Sequence, residues 1–169
     1  MAREAEIPGV AFRDLAIGDA GWLIEQHGVL HARDEGFDAR FEALVARILA
    51  DFIETRDPSV ERAWIAWKDG RRLGSIFCVK GTAPDTAKLR LFLLIPEARG
   101  MGLGRHLLDR CIAHARDHGF ARLTLWTHES HRAASTLHAT AGFACTASGR
   151  VRSFGVDLVE QEWSLDLHV

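Results

Sequence analysis

Residues 89–119 read LRLFLLIPEARGMGLGRHLLDRCIAHARDHG, and this stretch decides the fold. Leu91, Phe92, Leu93, Leu94 and Ile95 form an apolar run that reads as a strand, closed by Pro96. A turn holding Gly100, Gly102 and Gly104 follows. It leads into an amphipathic helix whose Leu103, Leu107, Leu108, Cys111, Ile112 and Ala115 recur at helical spacing. Three glycines at a helix start cost stability without a packing return. Their use is to let backbone N–H groups approach a ligand, because the first-turn N–H groups of a helix have no intrahelical partner. The helix dipole adds to the attraction, so the segment reads as a phosphate cradle.

Around this stretch the chain reads as an α/β domain with a mixed sheet. A first strand is expected around Val10 to Asp14. A helix capped by Asp19 runs to about Arg33, with Trp22, Leu23, Gln26, Val29 and Leu30 on its inner side, and Gly36 breaks it. Asp38 caps a second helix carrying Phe41, Leu44, Val45, Ile48, Leu49, Phe52 and Ile53, which Pro58 ends. Asp69-Gly70 between Trp64–Trp67 and Leu73–Val79 is a hairpin signal. Gly81 to Thr86 is a loop, and Gly119 closes the helix that follows the glycine turn. Leu123 to Thr127 is a strand, His131 to Ala141 a helix ended by Gly142, and Phe143–Ser148 and Gln161–Leu167 two closing antiparallel strands.

The bulk properties narrow the functions. A chain of 169 residues suits a single domain, residues 1–169, and a net charge of −2 offers no basic field for nucleic acid or a membrane surface. No apolar run reaches the roughly 20 residues that span a bilayer, and the first residues, MAREAEIPGV, lack the apolar core of a signal peptide. Cys78, Cys111 and Cys145 each lie in an apolar run at wide spacing and read as buried free thiols of a cytoplasmic protein. His27/His31 and His114/His118 are four apart on helices, but neither pair has a spaced third ligand, so no metal is expected. Trp64, Trp67, Trp126 and Trp163 fall in strands and read as core, with Trp126 able to border a cleft.

Among phosphate motifs, the dinucleotide fingerprint requires a third glycine where Arg105 stands, and no Walker loop is present. What stands is Arg99-Gly100-Met101-Gly102-Leu103-Gly104, an RxxGxG pattern followed by Arg105. It resembles the acetyl-CoA pyrophosphate loop of the GNAT N-acetyltransferase superfamily. His131, Ala134, Leu137, His138 and Gly142-Phe143 match the spacing of that superfamily's downstream helix. Ser153-Phe154-Gly155, Asp157-Leu158-Val159, Trp163 and the early His27-Gly28 and Glu35-Gly36-Phe37 segments look like the acetyltransferase domain of MarR-type fusion proteins.

The resemblance implies a mixed, mostly antiparallel sheet of about six or seven strands with flanking helices and a splayed parallel pair. The pantetheine arm of acetyl-CoA would pair with Leu93, Leu94 and Ile95. The pyrophosphate would sit on the turn from Arg99 through Gly100, Met101, Gly102, Leu103 and Gly104 to Arg105, with His131 and Ala134 bordering the arm. It also implies direct acetyl transfer to a primary amine, small molecule or peptide, by a protein of a kind often found as homodimers. The Leu94 N–H would polarise the carbonyl, and His138 stands where the superfamily has its acidic tyrosine, a residue type this chain lacks. At a reference pKa near 6.5, about a quarter of such a histidine is protonated at pH 7. Glu35 is the first candidate for the base, with His31 and Asp34 beside it. An acyl-CoA-binding regulatory module that has lost catalysis remains the alternative.

Overall fold

The computed structural model describes residues 6–168; residues 1–5 of the N-terminal stretch and residue 169 lie outside the described residues. The chain builds one seven-stranded sheet in the order β1-β2-β3-β4-β5-β7-β6. Its strands are β1 (Ala11–Arg13), β2 (Arg62–Lys68), β3 (Arg71–Lys80), β4 (Thr86–Leu94), β5 (Arg122–His128), β6 (Ala144–Ser153) and β7 (Val156–Asp166). Helices α1 (Asp19–Glu35) and α2 (Ala39–Thr55) cover one face; α3 (Leu103–Asp117) packs on the other, and α4 (Arg132–Thr140) lies between β5 and β6 in the chain. All strand pairs are antiparallel except β4 with β5.

Local chemistry explains most of the element ends. Asp69 and Gly70 both take positive φ, 50° and 75°, which twists the β2–β3 hairpin as its strands require. The α3 end closes with Phe120 N–H on the Ala115 carbonyl and Gly119 N–H on that of Arg116, and α4 repeats the arrangement with Phe143 N–H on His138 and Gly142 N–H on Ala139. Asp38 caps α2 by accepting from the Arg40 N–H at 3.0 Å.

Four expectations are corrected. Asp19 does not cap α1. Gly18 holds that position, and Asp19 is fully buried, accepting from Arg13 (2.6 Å), Arg72 (2.7 Å) and the Ala16 N–H (2.7 Å). Burial would push its carboxyl up, but these donors outweigh that and hold it low. On α1 the buried positions are Leu23, His27, Gly28 and Leu30 while Val29 is exposed, and Ile53 is likewise exposed on α2. Cys78 and Cys111 are buried free thiols, but Cys145 is exposed, because the apolar run around it belongs to the edge strand β6. The two closing strands are also longer than their patterns suggest, meeting at a turn on Phe154-Gly155.

The feature that shapes the sheet is a bulge in β4. Ser75 pairs with Leu93 and Phe77 with Arg90, so Ile76 faces two residues, Leu91 and Phe92. Leu91 sits at φ 48°, uncommon for a leucine, and the Ser75 hydroxyl donates to its carbonyl at 2.6 Å. The extra residue reverses the side-chain phase. Leu89 packs in the α3 cluster, whereas Leu91 and Leu93 pack in the α1/α2 cluster. Gly74 is required opposite, since a side-chain carbon there would run into the Leu93 carbonyl oxygen. Gly74→Ala should therefore destabilise the protein by about 2 kcal/mol or more, as overpacking against backbone does. Urea unfolding measures it, and an unchanged midpoint would contradict this account of the bulge.

Candidate active site

Just ahead of the bulge the sheet opens. β4 and β5 pair only through Thr86–Lys88 and Arg122–Thr124, so from Leu89 and Leu125 onward the two strands are not paired with each other. The Ile95 N–H is taken by the Leu73 carbonyl of β3 at 3.0 Å. Backbone groups alternate along an antiparallel strand, so the N–H and C=O of Leu94 face the other way, into the gap. Backbone groups left in such a gap are costly unless water or a ligand satisfies them. Leu93 and Ile95 turn their groups toward β3, which leaves Leu94 as the member of the expected trio that faces the opening.

The glycine turn lies just past this edge. After a 3-10 turn at Pro96–Ala98, Gly100 and Gly102 adopt φ 79° and 81°, with open space where side chains would stand. No side chain caps α3, and its first turn closes with the His106 N–H on the Gly102 carbonyl. The N–H groups of Leu103, Gly104 and Arg105 thus precede the first helical bond. Gly104 departs from expectation. Its missing side chain admits Leu94 Cδ1 and Leu137 Cδ2, at 3.2 and 3.4 Å from where a Cβ would sit. It has a packing role, bringing α3 against β4 and α4. Arg99 is exposed, and Arg105 forms a surface pair with Asp109 at 2.8 Å, an interaction of small worth. Met101 packs against the α3 cluster and Ala134 is half-buried on α4.

The open end of the gap holds a cluster the sequence did not foretell. His31 of α1, His128 at the end of β5 and His131 at the start of α4 face one another, with ring centroids 5.5 to 6.1 Å apart. Glu35 Oε1 lies 3.4 Å from His128 Nε2, and its Oε2 accepts from Ser130 Oγ at 2.7 Å. The first contact is within ion-pair range but off hydrogen-bond geometry, and both His128 nitrogens are sealed from solvent without a partner. His31 Nδ1 meets the His27 carbonyl at 2.9 Å. Nδ1 must then carry the proton, leaving Nε2 a bare acceptor. Burial pushes His31 down to about 4, and burial also lowers His131. Among the described residues no group of three or more His, Cys, Asp or Glu is placed to hold a metal ion.

Aromatic rings roof this end. Phe37, Phe41 and Phe154 pack edge-to-face or tilted with centroids 4.9 to 5.1 Å apart, and the Phe154 carbonyl accepts the Asp38 N–H at 2.9 Å. Phe154 carries φ 54°, so a bulky ring is held in a left-handed turn where asparagine is usual. These contacts join the β6–β7 turn to the α1–α2 connection. Trp126, half-buried on β5, donates from Nε1 to Glu160 at 3.1 Å.

His138 lies on α4. It is buried between Phe92 and Phe143, and its Nδ1 is sealed from solvent without a partner. Burial, reinforced by His131, pushes it down to about 4, so it is neutral at pH 7 and not one-quarter protonated. His27, buried with both ring nitrogens unpartnered, is pushed to about 3 for the same reason.

The profile described as Acetyltransferase (GNAT) family matches residues 26–143. A mycothiol acetyltransferase of Geodermatophilus obscurus is 33% identical over 85 residues, 47% of this chain and only 28% of that relative's length. The yncA protein of Salmonella typhimurium, solved with its cofactor acetyl-CoA, superposes with a TM-score of 0.72 at 22% identity over 94% of both chains. The spermidine N-acetyltransferase of Vibrio cholerae, solved with CoA and spermine, gives 0.72 at 14% identity over 94% of this chain and 96% of its own.

The histidines set a pH dependence of stability. His27, His31 and His138 have folded pKa values below the unfolded 6.5, so between about pH 4 and 6.5 the unfolded chain binds more protons. Stability is then full above pH 6.5 and falls as pH drops through that window. Melting scans from pH 7.5 to 4.5 should show a decline that His27→Leu makes shallower; equal slopes would contradict these assignments.

Proposed function

The chain belongs to the acetyltransferase (GNAT) family, and on that premise we propose that it transfers the acetyl group of acetyl-CoA to a primary amine by direct attack. The observation that carries the reading is the alignment of two unsatisfied backbone features. The open edge of β4 suits an arm with amides of its own, which can bond to it as an added strand. The uncapped start of α3 beside it suits a diphosphate, with Gly100 and Gly102 keeping the approach clear and Arg99 adding charge. Residues 93–95, 99–105, 131 and 134 are the binding set, with Leu94 facing the gap and Gly104 acting through close packing.

Acetyl-CoA supplies an activated thioester carbonyl. In this reading the Leu94 N–H stabilises the charge that develops on its oxygen. Glu35 takes the proton of the attacking amine at Oε1, the oxygen left to His128, while Ser130 holds Oε2. His138, neutral in its buried site, donates a hydrogen bond from Nε2 toward the departing sulfur rather than acting as an imidazolium. The free cysteines suit a cytoplasmic setting, the exposed edge of β6 suits a homodimer, and residues 1–169 are read as one acetyltransferase domain. The likeness of Ser153-Phe154-Gly155 and Trp163 to MarR-fused acetyltransferase domains belongs to the same reading. A catalytically silent acetyl-CoA-binding module is the second reading, favoured by the neutral His138.

Release of CoA thiol across an amine panel decides between them; no release with any amine would favour the silent module. Glu35→Gln should lower kcat by about 100-fold, as loss of a general base does, with acetyl-CoA affinity unchanged. An unaltered kcat would remove Glu35 from the role.

A further inference from the structure

A cavity of about 750 Å³ opens between the β6–β7 hairpin and the loop joining β5 to α4, lined by Glu129, Ser130, Arg132, Arg150, Arg152 and Asp157 among others. We propose that it binds the anionic end of the amine acceptor, so that the preferred acceptor is a small molecule carrying a primary amine and a carboxylate or phosphate. The inference rests on the acetyl-transfer reading and names the substrate class for the same site.

Charge decides the sign of the ligand. Arg152 is already paired with Asp157 at 3.0 Å and with the Gly155 carbonyl at 3.2 Å. Arg132 and Arg150 are exposed and their guanidinium groups have no ion pair or hydrogen bond among the described residues; of the two lining carboxylates, Asp157 is taken by Arg152, which leaves Glu129 to oppose them. Two unpartnered guanidinium forks lining one cavity, Arg132 from the start of α4 and Arg150 from β6, in a chain of net charge −2, favour a planar or tetrahedral anion. The same charges disfavour a polycation.

Position ties the cavity to the chemistry. Ser130 lines it and donates to Glu35 Oε2 at 2.7 Å, so the cavity wall is one side chain from the carboxylate proposed to take the amine proton. Leu158 and Val159 give the lining an apolar part, which suits the methylenes between an amine at Glu35 and an anion at the arginines. The ends of such an acceptor meet opposite charges, and the reversed orientation would set its anion against Glu35.

The test is a ladder of ω-amino acids from glycine to 6-aminohexanoate, with matched n-alkylamines, O-phosphoethanolamine and spermidine, assayed with acetyl-CoA by thiol release at constant ionic strength. At one or more chain lengths the anionic acceptor should exceed its alkylamine in kcat/KM by about tenfold or more, as a charge-assisted hydrogen bond implies. Phosphoethanolamine outperforming the carboxylates would assign the anion as phosphate and support the proposal. Arg132→Gln and Arg150→Gln should raise KM for the favoured acceptor without changing its kcat or any alkylamine constant, and Arg150→Lys should recover part of the loss. Alkylamines or spermidine turned over as well as every anionic acceptor, with no KM change in the arginine variants, would overturn the inference and leave acetyl transfer standing. No thiol release from any amine would remove both.

Discussion

Strand β4 cannot satisfy its backbone on both sides. It is held to β3 almost to its end and to β5 only through Thr86–Lys88. The bulge at Leu91 and Phe92 adds a residue that β3 does not match, and bulges bend the strand that carries them. The Ser75 hydroxyl on the Leu91 carbonyl and the bare Cα of Gly74 hold that shape from the β3 side. The packing around the gap follows from this geometry. The phase reversal sends Leu91 and Leu93 toward α1 and α2 and leaves Leu94 against Gly104.

The two ends of the opening differ in chemistry. The α3 end offers backbone dipoles and glycines, a surface for an anion with no need of side-chain specificity. The opposite end gathers Glu35, His31, His128 and His131 under the Phe37, Phe41 and Phe154 rings. Burial keeps His31 and His138 neutral at physiological pH, so their rings offer hydrogen bonds rather than positive charge.

The glycine-turn half is legible in the sequence because its signals are local. Asp69-Gly70, the glycine turn and the closing glycines Gly119 and Gly142 each act through the conformation of one or two residues, and all were found where their composition placed them. The bulge was hidden, since Leu91 looks like any strand leucine and its conformation depends on Gly74 and Ser75 across the ladder. The packing of Gly104 is not legible either, since what fills its space comes from Leu94 and Leu137 on other elements. The acceptor half is built from contacts between distant segments, with 95 positions separating Ser130 from Glu35. For His138 the reference pKa overstates the protonated share, because burial is not written in the residue itself.

The central claim is that the Leu94 backbone is left open by β5 and completed by acetyl-CoA. Amide hydrogen exchange resolved at Leu94 and Ile95, with and without saturating acetyl-CoA, tests it directly. In the free protein the Leu94 amide should exchange much faster than that of Ile95, which is bonded to Leu73. Acetyl-CoA should protect Leu94 and leave Ile95 nearly unchanged. A Leu94 amide protected in the free protein, or unprotected at saturation, would contradict the account.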